Sequence, residues 1–364
     1  MRNESFEFLK ALLAAASPSG FEAPGQRLWC EYARQYADEV RTDAYGNAVA
    51  VLNPDGDPKV VFDGHADELG MMVTYIDDKG FISIQRIGGI DPALVRAKRV
   101  RIHTRDGIVP GVVGATAIHL LPREGEKKAP KWPELFIDIG AADGDEAKAK
   151  VRVGDVVTFA YDFEMLNDNV GVARAFDNRV GTFCAIEGLR LAREAVAKGK
   201  SRAKKKLNCA IYACSSVQEE IGGAGAAMNV ATIRPDAAIV VDVTHATDSP
   251  GIDMKEHGEV KLGQGPTLSI GRENHPALNA LVIKTAKARK IPLQFEAFGL
   301  SGGTNALTIY TKNGGVPCAV LGLPNRYMHT TVEMIDLRDL QRVADLLAAS
   351  ALAIKTGQRF KVEV

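Results

Sequence analysis

The spacing of apolar positions changes twice along the chain, and the changes divide it into three stretches. Residues 5–16 put Phe6, Leu9 and Leu13 on one helical face, and Ser17-Pro18-Ser19-Gly20 stops that helix. Pro24 suits the first turn of a second helix, which carries Leu28 and Tyr32. A turn at Tyr45-Gly46-Asn47 leads to a strand over Ala48–Leu52. A second turn, Pro54-Asp55-Gly56-Asp57, leads to a short apolar strand over 59–62 that runs into Asp63-Gly64-His65-Ala66-Asp67.

From about Gly70 to Phe163 the texture is different. Short β-branched runs recur at 72–76, 81–84, 100–103, 108–113, 135–139 and 156–159, separated by glycine turns and charged loops. A helical period is suggested only near 145–150. This stretch predicts a small β-barrel or sandwich.

After Asp177 helices and strands alternate again. Over 179–198, Ile186, Leu189 and Val196 lie on one side, and Glu187, Arg190, Glu194 and Lys198 form a charged stripe on another, as on a helix covering a sheet. Strands are predicted over 207–214 and 238–243, with a helix between them. A helix and strand follow over 276–295, then a strand over 318–321. A last helix begins near Leu337, with Leu340, Val343, Leu347 and Ile354 on one face and Gly357 as its C-terminal cap. The economical architecture is a discontinuous α/β domain, residues 1–69 and 164–364, interrupted by a β-rich domain over 70–163.

Composition narrows the function. The chain has 364 residues, 46% of them hydrophobic and 25% charged, enough to bury a large core. Lysine plus arginine equal aspartate plus glutamate at 45 each, so no overall field points to nucleic acid or an acidic membrane. The basic run at 198–206 lacks aromatic interleaving and reads as a solvated loop. No stretch approaches the roughly 18 apolar residues of a membrane span, and the opening residues do not resemble a signal peptide. Cys30, Cys184, Cys209, Cys214 and Cys318 are scattered and odd in number, which favours buried thiols in a reducing, cytoplasmic setting.

Five acidic or histidine positions stand at predicted strand ends or loop starts, where open α/β sheets build their sites. His65 is a potential metal ligand, and Asp67 is placed to hold its other ring nitrogen. Asp177 precedes a helix, so it either caps that helix or uses its two oxygens to bridge metals. The adjacent carboxylates Glu219 and Glu220 repel one another unless a cation or proton intervenes, or else they serve a helix N-terminus. Asp242 ends an apolar strand and needs a cation or amide donors, and His329 lies in a loop. Two histidines and three carboxylates supply two metals with three ligands each if Asp177 bridges, which leaves Glu219 as a base.

With these residues in order, the chain resembles the M42 metallo-aminopeptidases of the zinc-peptidase clan. The matching stretches are Ser17-Pro18-Ser19-Gly20-Phe21-Glu22, Gly64-His65-Ala66-Asp67-Glu68-Leu69-Gly70, Asp177-Asn178-Arg179, Val217-Gln218-Glu219-Glu220-Ile221-Gly222, Asp242-Val243-Thr244 and Arg326-Tyr327-Met328-His329. The resemblance implies a mixed-sheet, phosphorylase/hydrolase-like α/β/α core with an inserted barrel-like dimerisation domain. It implies one metal on His65, Asp177 and Asp242 and another on Glu220, Asp177 and His329, each Zn²⁺ or Co²⁺. Glu219 would be the general base and Asp67 the orienter of His65, with a metal-bridging water attacking the N-terminal peptide bond of peptides. It further implies dimers assembling into a tetrahedral dodecamer. One departure is Gly302-Gly303-Thr304-Asn305-Ala306, where the family commonly has Asp at the fourth position; Asn305 is therefore a candidate for substrate contact or a neutral swap. Other readings are a metallohydrolase acting on acylated amino acids or blocked peptides, and a non-catalytic scaffold with a vestigial site.

Overall fold

The computed structural model describes residues 1–120, 129–197 and 206–364. In chain order the strands are β1 Glu39–Thr42, β2 Ala48–Leu52, β3 Lys59–His65, β4 Gly70–Ile76, β5 Ile82–Ile87, β6 Arg99–Thr104, β7 Gly107–Val113, β8 Phe136–Asp138 and β9 Val156–Phe159. They continue as β10 Glu164–Met165, β11 Val170–Ala173, β12 Ala210–Ser216, β13 Ala237–His245, β14 Thr267–Gly271, β15 Gln294–Phe298, β16 Cys318–Arg326 and β17 Glu333–Asp336. An 11-stranded mixed sheet runs β1-β2-β12-β3-β13-β16-β17-β11-β10, with β14 and β15 attached beside β16. At its centre β12, β3, β13 and β16 are parallel.

Alternation along the central strands sorts their side chains between two cores. Val60 and Phe62 of β3 pack with Leu9, Trp29, Phe183 and Leu347, beneath helices that include Asn3–Ala14, Phe176–Ala197 and Leu337–Ala353. Val61 points the other way, into a smaller core under the helices Ala224–Ile233 and Asn305–Ile309. The result is an α/β/α sandwich. The strands β4-β5-β8-β7-β6-β9 close into a barrel filled by Met71, Val73, Ile82, Ile102, Ile137 and Val157, and closure leaves that sheet without an open edge. The helix suggested near 145–150 is Gly144–Lys150.

Several local readings are corrected by packing. The helix Phe176–Ala197 is capped by Asn178, whose Oδ1 accepts from the Gly181 N–H at 2.9 Å. Asp177 has non-helical dihedrals and is not the cap. The charged stripe on this helix is partly internal: Glu187 and Arg190 are buried. The Glu187 carboxylate accepts from Ser5 Oγ at 2.8 Å, Tyr32 Oη at 2.5 Å, Arg190 Nε at 2.8 Å and Arg190 Nη2 at 2.7 Å. Gly357 is not a helix cap either. The last helix closes at Ile354, and Gly357 donates its N–H to the Asp57 carbonyl at 3.2 Å. Lys198–Lys205 of the basic run fall outside the described residues. All five cysteines are free and buried, and no described helix is long and apolar enough to cross a membrane.

The buried Glu187 cluster gives a stability test far from the site chemistry. Glu187→Leu takes the buried carboxylate from the Arg190 guanidinium, which keeps only Glu194, and from the Ser5 and Tyr32 hydroxyls, and the expected loss is about 3–5 kcal/mol. Urea unfolding with an unchanged m-value is the measurement; a loss under about 1 kcal/mol would reduce the cluster to ordinary surface pairing.

Candidate metal centre

The same alternation that sends Val61 into the smaller core stacks Asp63 and then His65 above it along β3. On β13, Ala238 and Val240 belong to that core and Asp242 follows on the same side. A polar cluster therefore caps an apolar layer at the carboxyl ends of the parallel strands. Close approach brings Asp177 to it. A Cβ on Gly64 would lie 2.2 Å from the Gly181 carbonyl carbon, so glycine there lets the start of the helix pass against β3.

Asp177 is the centre of the arrangement. Its Oδ1 lies 3.2 Å from His65 Nε2, and its Oδ2 lies 3.2 Å from His329 Nε2. His65 Nε2 is also 3.8 Å from Asp242 Oδ1 and 3.8 Å from Glu219 Oε2. His329 Nε2 is 3.8 Å from Glu220 Oε1. Two ligand groups result, His65–Asp177–Asp242 and Asp177–Glu220–His329, each with donor atoms within 4.8 Å of one another. His65, Asp177 and Asp242 are buried, and the other group opens toward solvent at His329 and Glu220. The barrel loop at Gly88-Gly89 forms one wall: a Cβ on Gly89 would sit 3.6 Å from His329 Nδ1.

Asp67 holds several parts together. Its Oδ1 lies 3.2 Å from His65 Nδ1, although that ring nitrogen is not aligned for a full hydrogen bond. The same carboxylate accepts from the backbone N–H of Glu219 at 3.0 Å and of Glu220 at 3.1 Å, and from Ser19 Oγ at 2.7 Å. Asp67 thus fixes the turn carrying both glutamates as well as the imidazole. Its own carboxyl is pushed up by burial, but His65 and these donors bring it below the usual range.

The charges in the cluster are poorly balanced without a cation. Burial, reinforced by Asp177, pushes the Glu220 and Asp242 carboxyls well up, and burial likewise raises Glu219. Asp177 runs the other way: burial opposes its ionisation, and hydrogen bonds from His329 and His65 outweigh it. Glu220 Oε1 is buried without a hydrogen-bond partner. Imidazoles and carboxylates converging in this way fit divalent metal ions, which would satisfy the orphaned oxygen and neutralise the acidic excess.

Three buried polar residues near the cluster carry no role in the sequence reading. Glu333 accepts from the Asp177 and His329 amides at 2.9 and 3.0 Å. Asp63, whose carboxyl burial raises to about 6, accepts from Ser216 and Asn305. Ser19 donates to Asp67 as described. A carboxylate inside an otherwise apolar strand is the only sequence signal for Asp63, and Glu333 has only its place in the histidine segment. Asn305 is 1% exposed, and its Nδ2 donates to Asp63 Oδ2 at 2.8 Å. With Asp63 and Ser216 it forms a buried polar group next to the cluster.

Sheet, barrel and converging ligands together form an α/β/α fold with a candidate metal centre at the ends of its parallel strands. Residues 46–346 match the family described as M42 glutamyl aminopeptidase. The chain is 33% identical to the lysyl aminopeptidase of Pyrococcus furiosus, over 94% of this chain and 96% of that protein. Among solved structures it is similar to the TET aminopeptidase of a marine sediment Thaumarchaeota archaeon, with a TM-score of 0.89, 32% identity and 95% of each chain covered. It is also similar to the Pyrococcus horikoshii TET1 peptidase, with a TM-score of 0.82 and 29% identity over 95% of this chain and 99% of that one. That peptidase assembles into a tetrahedron or a large octahedral shell. The chain belongs to the M42 family of aminopeptidases, hydrolases that act on peptide bonds.

Proposed function

We propose that the chain is a two-metal aminopeptidase that removes single residues from peptides with a free N-terminus. The observation that carries this reading is the Asp177 carboxylate, with one oxygen 3.2 Å from each of two imidazoles on separate elements. His65, Asp177 and Asp242 would hold one ion, and Glu220, Asp177 and His329 the other. Zn²⁺ or Co²⁺ suits these donors, and the bound ions would supply a polarised scissile carbonyl and a more acidic water.

The remaining steps belong to the chain. Glu219, with its side chain 17% exposed, borders His65 at the open side of the cluster. It takes a proton from the attacking water as the carbon–oxygen bond forms, then returns it to the amine as the carbon–nitrogen bond breaks. Burial raises its carboxyl above the usual carboxylate range. Asp67 holds His65 and the amides of Glu219 and Glu220 in place. Acidic side chains beside the metal ligands would recognise the substrate's free α-amine, which restricts cleavage to N-termini.

Residues 1–69 and 164–364 are taken as the catalytic domain, and 70–163 as an inserted dimerisation domain. A groove of about 760 Å³ on the barrel, with Ile108 and Val112 exposed along it, supports self-association there. The TET relatives, seen as a dodecamer and as a tetrahedron or octahedral shell, support assembly of dimers into a tetrahedral dodecamer, and a cytoplasmic setting belongs to the same proposal.

Hydrolysis of aminoacyl-p-nitroanilides by metal-stripped protein, with Zn²⁺ or Co²⁺ restored, tests the proposal. The expected result is at least a ~100-fold metal-dependent gain on free-amine substrates and no cleavage of N-acetylated ones. Cleavage of the acetylated substrates would move the chain to a deacylating or deblocking hydrolase. Metal binding without any turnover, on longer peptides as well, would favour a vestigial site.

A further inference from the structure

We infer that Glu333 is a positioning residue that locks together the two loops carrying Asp177 and His329, and so sets the more open half of the metal centre. The inference rests on the two-metal reading above. Glu333 opens β17, where it pairs with Ala173 of β11, and its side chain is 2% exposed. Both oxygens are engaged by backbone donors: Oε2 accepts from the Asp177 N–H at 2.9 Å and Oε1 from the His329 N–H at 3.0 Å. It belongs to neither ligand group. Asp177 and His329 are 152 positions apart in sequence (329 − 177), yet one carboxylate spaces their backbones so that Oδ2 and Nε2 meet at 3.2 Å.

The local backbone requires such a clamp. His329 has φ 61°, and Tyr327 and Ala175 on the same two loops have φ 63° and 60°. These are left-handed conformations that non-glycine residues hold only when their surroundings over-determine them. Glu333 supplies a carboxyl oxygen to the His329 amide itself, and so holds the residue that carries the unusual φ. By contrast, the inner ligands His65 and Asp242 sit on the central strands β3 and β13, whose ladders fix them independently. Loss of Glu333 therefore acts unevenly: the Asp177–Glu220–His329 group, with two ligands on the clamped loops, loosens more than the His65–Asp177–Asp242 group, which has one.

The test uses the full chain in two forms. Metal-stripped wild type, Glu333→Gln and Glu333→Ala are first compared by amide hydrogen exchange over the segments containing Asp177 and His329. Protection is expected to fall at both segments together in Glu333→Ala and less in Glu333→Gln, which keeps one acceptor oxygen. The three proteins are then titrated with Zn²⁺ by calorimetry and with Co²⁺ by visible absorption. One of two equivalents is expected to weaken by about 10–100-fold, the usual effect of removing a group that orients a ligand, and the other, which shares only Asp177 with the clamped loops, by clearly less. Activity at saturating metal should return more fully in Glu333→Gln than in Glu333→Ala. Unchanged protection, loss at one segment only, or equal weakening of both equivalents in a folded variant overturns the inference. Wild type that binds fewer than two equivalents but shows the paired exchange response would defeat the two-metal reading and leave the clamp in place. Should Glu333→Ala not fold, the Gln variant carries the same comparison.

Discussion

Glu219→Gln lowers kcat by about 10²–10⁴-fold, the range set by a general base, with metal content and folding unchanged. The amide has nearly the shape of the carboxylate but cannot take up the proton of the attacking water. Little else depends on the charge of Glu219. Its backbone is held by Asp67 through an N–H that the substitution keeps, and it lies outside both ligand groups. Its side chain comes no closer than 3.8 Å to His65 Nε2, so the imidazole keeps its contact with Asp177 at 3.2 Å. KM should move by less than about threefold, since the lost interaction belongs to the transition state. Steady-state kinetics alongside metal analysis of the same preparation makes the measurement. A variant with more than about a tenth of wild-type kcat removes Glu219 as the base, because a base contributes at least about 10²-fold. A variant that has lost metal instead shows that Glu219 is a ligand.

The α/β frame and the inserted barrel were legible because both are written in local period. The runs at Ala48–Leu52 and Val156–Phe159 coincide with strands end to end. Strands that depend on distant partners were not legible. β17 is held between β11 and β16, and β14 is attached only beside β15 and β16. Their short sequences carry no alternation strong enough to announce them. The run at 59–62 stopped at Asp63 because a carboxylate ordinarily ends an apolar strand, yet β3 continues to His65. The polar positions that hide the end of the strand are the ones that build the polar layer. Likewise, a helical stripe of Glu187 and Arg190 looks solvated until the Ser5 and Tyr32 hydroxyls arrive from two other helices.

Within the site, residue types and their order suggested the ligands, and the fold brings His65, Asp67, Asp177, Glu219, Glu220, Asp242 and His329 into one cluster. What sequence could not supply was direction. Whether Asp177 caps a helix or faces the cluster turns on its non-helical dihedrals and on Asn178 taking the cap. Asn305, a candidate for substrate contact or a neutral swap, is buried and donates to Asp63, a pairing its sequence position does not announce. Glu333 carries no sequence signal because its partners are backbone N–H groups, which no side-chain motif records.

Asp177→Ala is expected to weaken both ligand groups at once, whereas Asp242→Ala and Glu220→Ala each weaken one. The reason is geometric: the two oxygens of Asp177 face different imidazoles, and Asp177 alone is common to the two groups. Removing a group that merely orients a ligand costs about 10–100-fold in metal affinity. Loss of a shared ligand should therefore exceed about 100-fold at both positions. The single-group variants should retain one equivalent near wild-type affinity. The backbone contact to Glu333 survives in Asp177→Ala because it uses the amide, so the loops need not collapse with the side chain. Asp177→Asn keeps one acceptor oxygen but removes the charge, and should fall between Ala and wild type. Zn²⁺ titration of the four variants, with urea unfolding of each stripped protein to exclude misfolding, separates the cases. If Asp177→Ala keeps one tight equivalent, the carboxylate serves one ion only. The 3.2 Å contact on its other side would then be a hydrogen bond to an imidazole, and the two halves of the centre would be linked through Glu333 and Asp67 instead.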